Sequence, residues 1–186
     1  FAERETAKIP EAKAAAPREL NTIGVVGGGT MGAGITVAAL DAGLPVVMVE
    51  RDDESIARGR ANVEKVYDGL IAKGRMTQEA KAATMARYTP STSYDAIGDV
   101  DLVIEAVFED IEVKKAVFKE LDRVCKPGAV LATNTSYLDI EAIAAVTKRP
   151  QDVIGLHFFS PANIMKLLEI VVPSRVAPDV VVTSFE

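Results

Sequence analysis

A histidine and a glutamate near the end of the chain form a candidate acid–base pair. His157 is the only histidine of the chain, and imidazole titrates near neutral pH, so His157 is the leading candidate for a general base. Glu169 lies between two apolar residues, Leu168 and Ile170, where a carboxylate is costly to bury without a partner. We expect Glu169 to orient the His157 ring and to stabilise its imidazolium. The plain alternatives are a satisfied core histidine and a glutamate that points to solvent.

A glycine-rich turn near the start of the chain is a candidate phosphate site. Gly27, Gly29 and Gly32 have the spacing Gly-x-Gly-x-x-Gly, between an apolar run at 23–26 and an Ala-rich helical pattern. In this context the first glycine suits a tight turn, the second lets the backbone approach a pyrophosphate, and the third lets the helix pack on the strand. The N–H groups and the positive dipole end of the helix then face the phosphates. The spacing alone is a weak signal, so the prediction depends on the strand–turn–helix order.

An acidic residue after the second strand indicates which dinucleotide binds. Glu50 follows the apolar run 44–49, close to the position, about 20 residues after the glycine turn, at which a carboxylate accepts hydrogen bonds from the adenosine ribose. A carboxylate there repels the 2′-phosphate of NADP, although Arg51 could partly offset this. The sequence therefore predicts NAD as the cofactor.

Other polar residues follow two later strands. Glu105 to Lys114 begin where the run 101–105 ends, and Asn134 to Ser136 follow the run 129–133. Ligands bind at the carboxyl ends of the strands in open α/β sheets, so we expect these residues to meet His157 there. Both have structural alternatives. Ser136 begins a Ser-x-x-Asp pattern that resembles a capping box, and Lys114 could be a solvated helix residue.

Alternating strands and helices are expected to position these residues. Apolar runs predict strands at 23–26, 44–49, 101–105, 129–133, 153–159 and 167–172, and residues 88–91 are a short strand candidate interrupted by Pro90. Helical spacing and capping residues predict helices at about 30–42, 53–73, 77–87, 111–124 and 138–146. This alternation predicts an α/β fold, a Rossmann-like, doubly wound, mostly parallel sheet with helices on both faces, over residues 21–186. Residues 1–20 carry two prolines and no sustained apolar face, which is typical of a linker.

The composition excludes several classes of function. The net charge of −6, without a basic block, argues against nucleic acid or an anionic membrane as partner. A single cysteine, Cys125, excludes an intrachain disulfide and any multi-cysteine metal site, and we expect no metal. No apolar run reaches the length of about 18 residues that a membrane span needs.

Five further segments, in order, carry more specific patterns. They are Gly-Gly-Gly-Thr-Met-Gly-Ala-Gly at 27–34, Asp-Leu-Val-Ile-Glu-Ala-Val at 101–107, Thr-Asn-Thr-Ser at 133–136, His-Phe-Phe-Ser-Pro at 157–161 and Met-Lys-Leu-Leu-Glu-Ile at 165–170. Together they resemble the 3-hydroxyacyl-CoA dehydrogenases, particularly the dehydrogenase half of bifunctional fatty-acid oxidation enzymes. The resemblance covers nearly the whole chain. It implies NAD-dependent oxidation of 3-hydroxyacyl-CoA to 3-oxoacyl-CoA in beta-oxidation, with an acyl-CoA as the substrate partner.

The resemblance also implies a role for each candidate residue. His157 would take the proton of the 3-hydroxyl while hydride leaves C3 for the nicotinamide, and Glu169 would orient it. Ser136 would bond near the substrate oxygen and the nicotinamide. The positions that match cofactor contacts are Gly27, Gly29, Met31, Gly32, Glu50, Val107, Phe108, Glu109, Lys114, Ser136 and Ser160. Ser160 stands where the family commonly has Asn, and Glu50 replaces the commoner Asp.

The resemblance extends to segments outside this chain. Residues 1–20 resemble the linker that follows an enoyl-CoA hydratase domain, so we expect such a domain upstream. The family also carries a helical C-terminal domain, absent from this sequence, that makes the dimer and adds an Asn to the catalytic site. Without it we expect NAD binding and poor turnover. We expect a bacterial-type cytoplasmic enzyme, with a peroxisomal enzyme as the alternative.

Two other functions stay open at this point. One is a Rossmann dehydrogenase of a small 3-hydroxy acid; such enzymes generally use a catalytic lysine on a later helix, whereas His157 and Glu169 form the candidate pair here. The other is a non-catalytic NAD-binding or CoA-binding module, in which loss of His157 would have no effect.

Overall fold

The computed structural model describes residues 15–185, in which seven strands form one sheet of order β3-β2-β1-β4-β5-β6-β7. The strands are β1 (Ile23–Val26), β2 (Val46–Val49), β3 (Tyr88–Ser91), β4 (Leu102–Glu105), β5 (Val130–Thr133), β6 (Val153–Phe158) and β7 (Leu168–Val171). The first six strands pair in parallel, and β7 runs antiparallel to β6. The strand order reverses between β1 and β4, where open α/β sheets bind ligands.

Helices cover both faces of the sheet, which confirms the predicted Rossmann-like class. They are α1 (Thr30–Asp41), α2 (Asp53–Ala72), α3 (Gln78–Met85), α4 (Ile111–Val124), α5 (Ile140–Ala144) and α6 (Pro178–Thr183). Because side chains alternate along a strand, Val25 joins the core under α1, α2 and α6, whereas Val26 joins the core under α4 and α5. Each strand of the centre is therefore apolar on both sides, as a covered parallel sheet requires.

Capping side chains explain where most helices begin. Asp52, Thr77, Asp110 and Asp139 each accept a hydrogen bond from a backbone N–H in the first turn of α2, α3, α4 and α5, respectively. The helix predicted at 138–146 begins at Ile140, because Asp139 rather than Ser136 is its N-cap, and it ends earlier than predicted, at Ala144. The capping alternative for Ser136 is therefore wrong.

Several elements were not predicted. The chain forms short 3-10 helices at Tyr94–Ile97 and Pro150–Asp152, as well as α6. All are too short to show helical periodicity in the sequence. Pro90 lies within β3, which is tolerable because β3 is an edge strand. Within residues 15–185, no helix is long and apolar enough to cross a membrane.

The described end of the predicted linker is attached to the domain. Its first part, residues 1–14, lies outside the described residues. In the remainder, Arg18 donates to Asp152 at 2.8 Å, to Asp179 at 2.8 Å and to the Gly128 carbonyl at 3.0 Å. Residues 15–20 have no regular structure, but Arg18 attaches them to α6 and to the segment before β6.

Candidate active site

The glycine turn has the geometry of a phosphate-binding loop. Gly27 has φ of 99°, and a Cβ there would lie 2.7 Å from the Ala106 carbonyl oxygen. A Cβ on Gly32 would lie 1.8 Å from the Gly27 carbonyl oxygen, so only glycine lets α1 approach the turn this closely. A Cβ on Gly29, in contrast, would meet none of the described atoms within 4 Å. The space above Gly29 is therefore open to a ligand.

The start of α1 differs from the starts of α2 to α5. Its N-cap is Gly29, no described side chain caps it, and its first turn has no acidic residue. Helices α2 to α5 are all capped by a side chain. Free N–H groups and the positive end of the helix dipole make this terminus an anion site. This is the observation on which the fit of a dinucleotide pyrophosphate rests.

One cleft, of about 310 Å³, opens beside the glycine turn. This glycine-side cleft is lined by Gly28, Gly29, Glu50, Ser55, Arg58, Ala61 and Asn62. Glu50 accepts hydrogen bonds from the Gly28 N–H at 2.6 Å and from the Arg51 N–H at 3.2 Å. The Arg51 guanidinium pairs with Asp52 at 3.1 Å, so two carboxylates stand at this end of β2. The local charge favours a free ribose over a 2′-phosphate.

A second cleft, of about 440 Å³, gathers most of the other candidates. This histidine-side cleft is lined by Met31, Ala106, Val107, Glu109, Asn134, Ser136, His157, Phe158, Phe159 and Ser160. Phe108 is not part of its lining, and its side chain is 80% exposed. Lys114 is not part of it either, because it is buried beneath. The turn and the start of α1 contribute to both clefts, with Gly28 and Gly29 lining the glycine-side cleft and Met31 lining the histidine-side cleft.

The histidine and the glutamate predicted as a pair are in contact. His157 on β6 lies directly opposite Glu169 on β7, and its Nδ1 is 2.8 Å from Glu169 Oε2. The imidazole is partly buried at the cleft rather than enclosed in the core, and the Phe159 ring packs at 4.6 Å between centroids. The carboxylate holds Nδ1, which leaves Nε2 as the ring nitrogen for a ligand.

Glu109 connects the loops that follow β4 and β5. Its carboxylate accepts hydrogen bonds from the Thr135 hydroxyl and from the Ser136 N–H at 2.9 Å, and it pairs with Lys114 at 3.2 Å. Burial opposes its ionisation, but the hydrogen bonds from Thr135 and Ser136 and the Lys114 ammonium hold the pKa of Glu109 below its usual value. Lys114 is 1% exposed, so it is not a solvated helix lysine.

Sequence reasoning placed Asn134 at this end of the sheet but missed two residues of α2, Arg58 and Asn62. Arg58 and Asn62 project from α2, and Asn62 donates to the Gly28 carbonyl at 3.1 Å. Asn134 accepts from the Phe158 N–H at 2.8 Å, which joins the β5 loop to the end of β6. The signal for Asn134 was its place after an apolar strand, whereas Arg58 and Asn62 resemble ordinary helix residues in the sequence.

Comparison with known proteins identifies the family. The family model described as "3-hydroxyacyl-CoA dehydrogenase, NAD binding domain" matches residues 22–186. The peroxisomal bifunctional enzyme of Cavia porcellus is 45% identical over 181 residues, which are 94% of this chain and 24% of that protein.

Solved structures agree with this match. FadB2 of M. tuberculosis superposes with a TM-score of 0.86 at 38% identity, over 89% of this chain and 59% of that one. The 3-hydroxybutyryl-CoA dehydrogenase of Escherichia coli superposes with a TM-score of 0.84 at 39% identity, over 90% of this chain and 37% of that one. The chain spans about a quarter of the length of the curated relatives it matches. The predicted fold, family and NAD cofactor are confirmed: the chain belongs to the 3-hydroxyacyl-CoA dehydrogenase family and is its NAD-binding domain.

Proposed function

We propose that the full-length protein oxidises 3-hydroxyacyl-CoA to 3-oxoacyl-CoA with NAD, as a step of fatty-acid beta-oxidation. The observation that carries this proposal is the contact of 2.8 Å between His157 and Glu169, at the cleft that also contains Ser136. The names of the relatives support the substrate class, since the E. coli structure is that of a 3-hydroxybutyryl-CoA dehydrogenase.

The residues present fit NAD. The turn from Gly27 to Gly32 and the free N terminus of α1 suit the pyrophosphate, and the Glu50 carboxylate suits the adenosine ribose hydroxyls. Met31, Val107, Ser136 and Ser160 line the cleft on the nicotinamide side. When bound, NAD supplies the acceptor for the hydride that leaves C3 of the substrate.

His157 moves the proton in this proposal. Its Nε2 accepts the proton of the 3-hydroxyl as the C3–H bond breaks, which makes the ring an imidazolium. Glu169 accepts the Nδ1–H throughout, so it fixes the tautomer and stabilises the positive ring. In the reverse direction the same imidazolium returns the proton to the oxygen of the 3-oxo group.

Ser136 and the aromatic walls assist this transfer. Ser136 lines the histidine-side cleft, and its N–H and hydroxyl lie 2.9 and 3.5 Å from Glu109; in this proposal the hydroxyl donates instead to the substrate oxygen. Phe158 and Phe159 supply apolar surface beside the imidazole. Such walls exclude water and strengthen the electrostatic interactions of the site.

The test is NADH oxidation by the full-length protein on addition of acetoacetyl-CoA. We expect turnover with the natural sequence, and a loss of at least about 100-fold in kcat for His157→Ala, because a general base contributes about this much. NADH affinity in the variant should stay near normal. A near-normal kcat in His157→Ala would remove this residue from the mechanism.

The same assay separates the rival functions. With free acetoacetate in place of acetoacetyl-CoA, a dehydrogenase of small 3-hydroxy acids would oxidise NADH, whereas the proposal predicts activity with the CoA thioester alone. A non-catalytic module would bind NADH and turn over neither substrate.

The remaining proposals concern the whole protein. We propose an upstream hydratase-like domain and a downstream helical domain that makes the dimer, because the relatives named as bifunctional enzymes are about four times as long. For the compartment, the guinea pig and human relatives are peroxisomal by name, which supports the peroxisomal alternative over the cytoplasmic expectation. Imaging of the tagged full-length protein tests the compartment, and its mass in solution tests the dimer.

A further inference from the structure

A fully buried carboxylate lies beneath the histidine-side cleft. Glu105, the last residue of β4, is 0% exposed. One of its oxygens accepts hydrogen bonds from Lys114 Nζ at 2.7 Å and from the Val107 N–H at 2.8 Å, and the other accepts from the Thr133 hydroxyl at 2.7 Å. The charge is therefore paired, and both carboxylate oxygens have hydrogen-bond donors.

Stability alone does not account for such a pair. Removing two charges from water is expensive, and apolar side chains of similar volume often stabilise a fold as well as a buried ion pair does. The other described residues of β4 are apolar, and the strand is buried on both faces. A carboxylate is thus placed at the one end of this strand where a ligand binds.

Each partner of Glu105 belongs to, or holds, a wall of the cleft. Val107 lines the cleft directly. Lys114 pairs with Glu109, whose carboxylate holds the Ser136 N–H at 2.9 Å. The Thr133 hydroxyl accepts from the Thr135 N–H at 3.3 Å, within the loop that ends at Ser136.

These contacts converge on two loops. The loop at 106–109 follows β4 and the loop at 134–136 follows β5; both line the cleft, and Glu109 joins them through hydrogen bonds from Thr135 and Ser136. Glu105 is bonded to both, through the Val107 N–H on one side and through Thr133 on the other. Among the described residues, no hydrogen bond joins this network to Glu50 or to the glycine-side cleft.

We propose that Glu105 is a positioning residue that fixes the loops at 106–109 and 134–136 for the nicotinamide half of the cofactor, while the adenosine half binds independently of it. It acts through Val107, Lys114 and Thr133 and touches no ligand itself. The inference deepens the proposed function, because Ser136 sits on one of the loops, but its test is cofactor binding without substrate.

The test compares two ligands in the full-length protein. NADH affinity is measured by titration, and ADP affinity by competition with NADH at the same site. We expect Glu105→Gln to weaken NADH binding by roughly tenfold or more, because hydrogen bonds to charged groups contribute about this much. ADP affinity should stay within about twofold, since ADP lacks the nicotinamide half.

Two further variants serve as controls for the predicted difference between NADH and ADP affinity. Glu50→Gln is the same chemical change in the glycine-side cleft, and we expect it to weaken NADH and ADP together. Thr133→Val keeps the shape of the side chain but removes one hydrogen bond to Glu105, so we expect a smaller loss of NADH affinity and unchanged ADP affinity. This second variant serves if Glu105→Gln does not fold, which circular dichroism reports.

The outcomes decide between a positioning and a structural role. Equal weakening of NADH and ADP by Glu105→Gln or Thr133→Val would mean that the network only supports the fold. Unchanged NADH affinity in both folded variants would also overturn the proposal. A protein that shows the predicted split and yet fails to oxidise 3-hydroxyacyl-CoA would refute the proposed function and leave this inference standing.

Discussion

His157 and Glu169 meet because their strands are antiparallel neighbours in a particular register. Directly opposed residues of an antiparallel pair have Cβ atoms about 5 Å apart, close enough for an imidazole and a carboxylate to form a hydrogen bond. Strand β6 pairs in parallel with β5 on one side and antiparallel with β7 on the other. The antiparallel pairing with β7 is the one that places Glu169 opposite His157. A shift by one residue would turn Glu169 to the opposite face of the sheet and remove the contact.

Glu50 illustrates a residue with two partners in one site. Its carboxylate already holds the Gly28 N–H at 2.6 Å, so it both shapes the glycine turn and faces the glycine-side cleft. We predict that Glu50→Ala weakens NADH binding by about 1–3 kcal/mol, the usual contribution of hydrogen bonds to a charged group. Isothermal titration of the full-length protein measures this. The control is Glu64→Ala, which removes only a surface ion pair with Arg60 and should leave affinity unchanged.

NADPH gives a second measure of the same carboxylate. Glu50→Ala should lower the affinity for NADH and reduce the difference between the NADH and NADPH affinities, because the repulsion of the 2′-phosphate disappears with the charge. Unchanged affinity for both dinucleotides would show that the Glu50 carboxylate contributes neither to the ribose contact nor to a turn geometry that binding needs.

At the scale of elements, glycines of the same turn have two different roles, one in packing the helix and one in leaving room for a ligand. Gly32 is required by the fold, since a Cβ there would overlap the Gly27 carbonyl. Gly29 has open space above it, so its role is to leave room for a ligand. The first role predicts loss of folding on substitution, whereas the second predicts loss of binding alone.

We therefore predict that Gly29→Val folds normally and loses NADH binding. The side chain would enter the space that the pyrophosphate needs while meeting no described protein atom at its Cβ. Thermal unfolding and an NADH titration of the full-length protein test the two halves of the prediction. Retained NADH affinity in the folded variant would contradict the assignment of the turn.

Gly69 on α2 is the matched control. Its Cβ would likewise meet none of the described atoms within 4 Å, but it lies in a helix away from the turn. Gly69→Ala should stabilise the protein by about 0.5–1 kcal/mol, because alanine is the better helix former, and should not alter NADH binding.

The elements themselves were largely predictable, and the buried part of the site was not. Most strands are mainly apolar segments, the edge strand β3 (Tyr-Thr-Pro-Ser) being the exception, and α2, α3 and α4 begin at side-chain caps, so local sequence defines them. The Glu105 network depends on Lys114 folding back from α4 and on Thr133 lying on the adjacent strand, contacts between residues distant in sequence. In the sequence, Lys114 has the same local pattern as a surface lysine, and only the packing of α4 shows that it is buried.

At the scale of the whole molecule, the N-terminal segment is attached at the amino ends of the strands, opposite the end that carries the two clefts. Arg18 joins Asp152, before β6, to Asp179 in α6, and Asp101 accepts the N–H groups of Asn21 and Thr22 just before β1. Three carboxylates therefore hold the segment that leads into β1. Because these contacts need ionised carboxylates, their contribution to the stability of the fold depends on pH.

Two of these carboxylates have shifted acidities. The hydrogen bond from Arg18 outweighs burial and holds the pKa of Asp179 below its usual value. Burial opposes the ionisation of Asp101, but the hydrogen bonds from Lys126 and from the backbone of Asn21 and Thr22 lower its pKa as well. Such groups stabilise the fold fully above their unfolded pKa of about 4, and the contribution is lost as the pH falls through the lower folded values.

We predict that Arg18→Met lowers the free energy of unfolding by about 1 kcal/mol at neutral pH, a modest value because Asp179 is partly exposed to solvent. Methionine keeps an apolar stem, so the change removes mainly the charge. In acid, below the lowered folded pKa of Asp179, the carboxyl is protonated in the folded and unfolded states alike, so the difference between variant and natural chain should shrink toward zero. Urea unfolding of the 186-residue chain at both pH values measures it. The control Lys148→Met, which removes an exposed cation near Arg18, should show no such pH dependence. If Arg18→Met lowers the free energy of unfolding equally at both pH values, Arg18 contributes packing rather than charge.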